Sequence, residues 1–185
     1  MKFKRGDERT SAWPAPGGDA TDRAILELLQ DNCKQPLAAM GEKVGLSAPA
    51  VLERIHKLEE AGVISGYAAQ IDARRVGMDV TAFIGVNTEQ PSTIRAVEAG
   101  VAAIDEVLEC HHVTGAHTLM LKVKTWNTES LEGLIDRVRS MSGVSRTETM
   151  VVLSSHTERS RIALVDPDEP STRPTRRNGA RSRRR

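Results

Sequence analysis

The sequence predicts an α+β protein in two modules: an N-terminal helix-turn-helix (winged-helix-like) domain, then a C-terminal βαββαβ ferredoxin-like domain. Three observations predict it. Residues 46–62 carry a well-capped apolar stripe, preceded by two shorter helical stretches and a glycine turn. From residue 79 the apolar pattern switches period in the order strand, helix, strand, strand, helix, strand. Charge is partitioned as well. Residues 1–18 hold four basic and two acidic groups, residues 166–185 hold seven Arg against three acids, and the body between holds 15 basic against 20 acidic groups. Such a chain divides into a mobile arm (1–18), a helical domain (19–64), a connection (65–78), an α+β domain (79–160) and a disordered basic tail (161–185).

In the first domain, Asp19, Thr21 and Asp22 supply caps, and Ile25, Leu26, Leu28 and Leu29 form the apolar side of a helix from Asp19 to Asn32. Gln35 and Pro36 interrupt it. Leu37 to Val44 reads as a second helix with Leu37, Met40 and Val44 inward, and Gly45-Leu46 turns the chain tightly. In the third helix Ser47 is the N-cap, Pro49 suits the first turn and Gly62 the C-terminal stop. Val51, Leu52, Ile55 and Leu58 make its stripe, Glu53, Lys57 and Glu60 the opposite face, with Arg54 and His56 on the flanks. This plan is that of a DNA-binding helix-turn-helix.

Val63 to Ile71 reads as one or two short strands. Thr81–Thr88, Val107–Thr114, Thr118–Thr125 and Val144–Leu153 read as strands, and Ser92–Ile104 and Glu129–Met141 as helices. A split-βαβ module puts both helices on one face of a four-stranded antiparallel sheet, and a second copy is the simplest cover for the other face.

Specific strings then carry a resemblance. Gly45-Leu46-Ser47, Val51, Arg54-Ile55, Leu58-Glu59 and Gly62-Val63-Ile64 in the first domain are similar to the recognition-helix signature of the Lrp/AsnC (feast/famine) transcriptional regulators. Gly66-Tyr67 resembles that family's hinge strand. Glu109-Cys110-His111, Val113-Thr114-Gly115, Gly143-Val144, Thr147 and Thr149 resemble its second (RAM) module. The resemblance spans about residues 19–160. It implies a sheet-to-sheet homodimer that assembles into tetramers or octamers, and an amino acid or similar small effector bound between second modules. Departures are informative. The family usually follows Val-Thr-Gly with an acid and another two positions later, where this chain has Ala116 and Thr118 around His117. That implies an altered effector response. Pro36 and Gly41 replace a more usual cap and alanine, implying a weaker second helix, since Gly costs ~1 kcal/mol relative to Ala.

On this reading Ala48, Pro49, Ala50 and Glu53 face base edges of double-stranded DNA, Arg54, His56 and Lys57 reach bases or phosphates, and Ser47 completes the DNA-binding set at the helix start. The effector pocket draws on Gly115, Ala116, His117, Thr118, Asn127 and Thr149. Deleting residues 166–185 is expected to flatten the salt dependence of DNA binding.

Other function classes are weaker. Cys110, His112 and His117 invite a metalloenzyme reading, but Cys110 and His112 share one strand face, and a closed zinc site needs four ligands. No metal site is expected, nor any catalytic residue, because a phosphate loop, HExxH and G-x-S-x-G are lacking. With one Tyr, two Phe and two Trp, the composition argues against an aromatic platform for single strands. Two cysteines outside any CxxC, no membrane-length apolar run and no signal-peptide pattern point to a cytoplasmic, nucleoid-associated protein.

Overall fold

A computed structural model describes residues 18–164; the predicted arm and most of the basic tail lie outside them. The chain divides into two compact units. Among the described residues, one takes in 18–68 and 159–164, and the other spans Ala69–Glu158.

Three helices build the first unit: α1 (Ala20–Asp31), α2 (Leu37–Val44) and α3 (Ala48–Glu60). Their stripes meet in a small core of Ile25, Met40, Val51 and Ile55, with Leu28, Leu29, Leu37, Val44, Leu46 and Ile64 packed around it. Burying each such side chain contributes about 1.5–3 kcal/mol, so the unit relies on sharply defined ends as well as on its core. Asp19 and Asp22 cap α1 reciprocally, each carboxylate accepting the other's backbone N–H. Ser47 Oγ accepts from the Ala50 amide at the start of α3. At its end Gly62 takes a left-handed φ of 72°, the Val63 N–H returns to the Leu58 carbonyl and the Gly62 N–H to Glu59.

Gly41 has a different reason for being there than the sequence suggests. It is buried, and a Cβ at this position would lie 2.3 Å from the Leu46 carbonyl oxygen. The tight turn from α2 into α3 brings backbone against backbone, so glycine is required by close approach and is no defect of the helix.

The expected strand over Val63–Ile71 does not form. Val63 and Ile64 both donate to Leu58 and finish α3, and residues 65–71 run on with no strand pairing among the described residues. A strand needs a neighbour for its N–H and C=O groups, and a single chain supplies none here.

The second unit contains β1 (Val80–Thr88), α4 (Ile94–Val101), β2 (Val107–His112), β3 (Leu119–Thr125), α5 (Thr128–Arg139) and β4 (Val144–Val151). The sheet is antiparallel with order β2-β3-β1-β4, so each helix crosses over an intervening strand, as the split-βαβ plan requires. Ala82, Ile84, Val86, Leu119, Leu121 and Val123 pack on Val97 and Val101 of α4 and on Leu131, Leu134 and Val138 of α5. Both helices therefore cover one face. α4 is shorter than its predicted Ser92–Ile104, because Pro91–Thr93 winds as a 3₁₀ turn and the helix stops after Val101.

Candidate nucleic-acid interface and effector loop

With 3.6 residues per turn, successive α3 side chains rotate by about 100°. Val51, Ile55 and Leu58 are buried, which turns Pro49, Glu53, His56, Lys57 and Glu60 outward. Ala48 and Ala50 are half-buried at the edges, and Ser47 is committed to the cap. Glu53 and Lys57 form an i,i+4 pair at 2.8 Å, and that hydrogen bond holds the Glu53 carboxyl below its usual range.

Two residues stand on a different side from the one sequence alone suggests. Leu52 lies about 90° from the centre of the stripe and is 39% exposed, so it is an outward residue. Arg54 is turned toward α1. Its Nη1 donates to Asp22 Oδ1 at 2.7 Å and to Asp19 Oδ2 at 2.9 Å, which removes it from the group facing outward. The same contacts raise the guanidinium pKa, Asp22 having the largest effect. The sequence signal for this clamp is the pair of acids beginning α1, which reads as a cap and hides its second use.

Tyr67, just beyond α3, donates its hydroxyl to Glu59 Oε1 at 2.9 Å. Partial burial first, then the Glu59 carboxylate, push its pKa up to about 12. After β4 the chain comes back to α1. The Gln30 side-chain amide accepts the Ile162 N–H at 2.7 Å and donates to the Ile162 carbonyl at 3.1 Å, and Arg161 pairs with Asp31. Arg161 and Ile162, at the start of the predicted tail, are thus held to α1.

In the second unit the loop between β2 and β3 is tied to β1. Asn87 Nδ2 donates to the Ala116 carbonyl at 2.9 Å, and the Thr118 N–H donates to the Val86 carbonyl at 3.0 Å. Because the Asn87 amide nitrogen is committed to Ala116, its Oδ1 accepts from His117 Nδ1 at 2.9 Å. The imidazole lies over Gly85, where a Cβ would come within 2.5 Å of the ring. His117 Nε2 faces Glu148 Oε2 at 3.8 Å, and Arg146 lies equally far from that carboxylate. Sequence reasoning missed Gly85, Asn87 and Glu148, which only the strand register unites with the loop.

Not all of the predicted effector residues converge within one chain. Gly115–Thr118 lie at one end of β3 and Asn127 beyond the other, roughly 20 Å away for a strand of this length. Asn127 caps α5 by accepting the Ser130 N–H. Thr149 pairs with Ile84 in mid-sheet, on the helix-covered side. The metal triad also separates. Cys110 and His112 stand opposite Leu121 and Leu119 on the helix-covered side, whereas His117 lies over Gly85 on the other.

Comparison with known proteins matches both units in order. Residues 19–59 match the AsnC-type helix-turn-helix domain and residues 81–162 the Lrp/AsnC ligand binding domain. The chain belongs to the Lrp/AsnC family of transcriptional regulators. Among curated Lrp/AsnC relatives, the HTH-type transcriptional regulator FL11 of Pyrococcus horikoshii is 34% identical over 146 residues, 79% of this chain and 96% of that one. The solved structure of Escherichia coli AsnC superposes with a TM-score of 0.73 at 28% identity, covering 77% of this chain and 97% of that one. A Neisseria meningitidis transcriptional regulator in complex with L-methionine gives 0.75 at 28% identity, over 78% and 96%. The Lrp/AsnC α+β architecture and the helix-turn-helix of the sequence analysis are therefore those of the chain.

Proposed function

We propose that this Lrp/AsnC regulator is a sequence-specific DNA-binding homo-oligomer whose assembly responds to an amino acid or a similar small ligand. The observation that carries this reading is the division of labour between units. One holds α3 by both ends with its outward side open, and the other holds a sheet with helices on one face only.

The helix-free side of the sheet suits a second copy of the chain. It displays Phe83 and Met120 beside the Glu109–Lys122–Glu158 ion pairs, a mixture typical of protein interfaces. A dimer formed there would bring two α3 helices to one partly palindromic site. The loop from Gly115 to Thr118, with Asn87 and Glu148, supplies the effector pocket. A bound ligand there acts by coupling assembly to DNA affinity and needs no chemical step, so the protein is a regulator and not an enzyme. Solved relatives carry L-methionine, which makes amino acids the first ligands to try. No helix among the described residues is long and apolar enough to cross a membrane. A cytoplasmic, nucleoid-associated place is part of the proposed role.

The test is site selection from random duplexes with the full chain, followed by footprinting and sedimentation with each amino acid. A consensus with two half-sites, and one amino acid that shifts the assembly, support the proposal. A footprint without sequence preference would replace it with a chromatin-organising role. Gly85→Ala evicts the His117 ring, and should alter the ligand response while leaving site preference intact.

A further inference from the structure

The outward side of α3 is almost without free cations. Arg54 is bonded to Asp19 and Asp22, and Lys57 is paired with Glu53. Long cations that read guanine in bidentate fashion are therefore scarce on this surface. One flank offers Pro49, Leu52 and His56 instead, three residues at helical spacing on the side away from the Arg54 clamp. Leu52 is 39% exposed although Val51 and Ile55 beside it are buried. A lone exposed leucine is ordinary on a protein surface. This one lies in the middle of the helix that the proposed function sends into the groove.

We infer that Leu52 is a specificity-determining residue that packs on the 5-methyl group of a thymine in the major groove. Among major-groove base edges only thymine presents a methyl, and an aliphatic side chain is its natural complement. A branched side chain flanked by Pro49, which has no N–H to offer, can make no competing hydrogen bond there. The neutral Glu53–Lys57 pair leaves affinity to contacts elsewhere, so the apolar flank contributes selection more than adhesion. This inference rests on the reading of α3 as the helix that enters the groove.

Deoxyuridine in place of thymine tests it, because pairing is kept and only the methyl is lost. The full-length protein first selects its sites, and each thymine of the consensus is then replaced singly. With the wild-type protein, one position per half-site should lose about fourfold in affinity, the effect of one buried methyl. Leu52→Ala should bind the thymine site more weakly and become indifferent to uracil at that position, whereas Leu52→Met should keep the discrimination. Unchanged melting of Leu52→Ala checks that the helix is intact. Equal uracil sensitivity in wild type and Leu52→Ala overturns the inference, as does a wild type that is sensitive at no position. Failure to select any consensus overturns the sequence-specific reading itself, and this inference with it.

Discussion

Arg54 Nη1 sits 2.7 Å from Asp22 Oδ1, and Asp22 is 4% exposed. The helix that faces outward is thereby pinned to the start of α1 by a charge-assisted bond at the edge of the core. The carboxylates that accept it also cap α1, so one cluster fixes both the beginning of α1 and the rotation of α3.

Replacing Asp22 with Ala removes one half of the reciprocal cap and leaves Arg54 with Asp19 as its acceptor. A loss of about 1–3 kcal/mol is expected for the first unit, or roughly 5–20 °C in its melting temperature given its small size. Calorimetry reads this directly, and the transition of the second unit should not move. Arg54→Gln should give the same fall in stability, whereas a variant that lost DNA affinity with full stability would return Arg54 to the groove.

Acid should act through the same cluster. The Asp22 N–H, and then Arg54, hold the Asp19 carboxyl below its ordinary range. A folded-state pKa lower than the unfolded one gives stability that is present above the unfolded value and disappears as pH falls through the folded one. Melting of the first unit should therefore be level from pH 7 to about 5 and decline below about 4. In Asp19→Asn, which has no carboxyl there to protonate, that decline should be shallower.

Gly41→Ala separates propensity from packing. Helix propensity alone favours Ala by about 1 kcal/mol, but the new Cβ would meet the Leu46 carbonyl at 2.3 Å. Destabilisation of at least 1–2 kcal/mol is expected in urea, since backbone must move to admit the methyl. An Ala variant as stable as wild type would show that the turn yields.

Much of this was legible in the sequence, and the failures have physical causes. Helical stripes such as Ile25/Leu29 and Val51/Ile55/Leu58 are local, so three helices and their caps follow from spacing alone. Alternation in β1 and β3 gave the sheet, because one side of each strand is buried under helices. Position on a flank was not legible. Leu52 is apolar and Arg54 charged, yet the first is turned outward and the second inward, since the acids of α1 decide which flank docks. The site around His117 depends on register, which puts Gly85, Asn87 and Glu148 beside a loop some thirty residues away from each. Val63–Ile71 has the composition of a strand and lacks a neighbour within the chain.

Tyr67 offers a spectroscopic reading of that connection, being the only tyrosine in the protein. Phenolate absorbance should rise with a midpoint near 12, held up by partial burial and by the hydrogen bond to Glu59. A phenol with a raised folded pKa stabilises the fold below its unfolded value of about 10, and that contribution is lost as pH climbs through the folded value. Glu59→Gln should bring the midpoint down toward 10. An ordinary midpoint in the wild type would mean that residue 67 is not docked on α3.

The return of the chain to α1 makes the last prediction. Ile162 offers both its N–H and its carbonyl to the Gln30 amide, at 2.7 and 3.1 Å, a two-point grip on an otherwise exposed backbone. Each such bond contributes about 0.5–1.5 kcal/mol net, so losing both should raise the open population roughly tenfold. Trypsin reports it, since Arg159 and Arg161 lie just before Ile162. Gln30→Ala should be cut there about ten times faster than wild type, with the Ile162 amide exchanging faster by a similar factor, while α1 keeps its protection. Gln30→Glu should keep the acceptor for the Ile162 N–H and lose the donor to its carbonyl, giving an intermediate rate. Equal cutting of all three proteins would show that the segment is not held by Gln30.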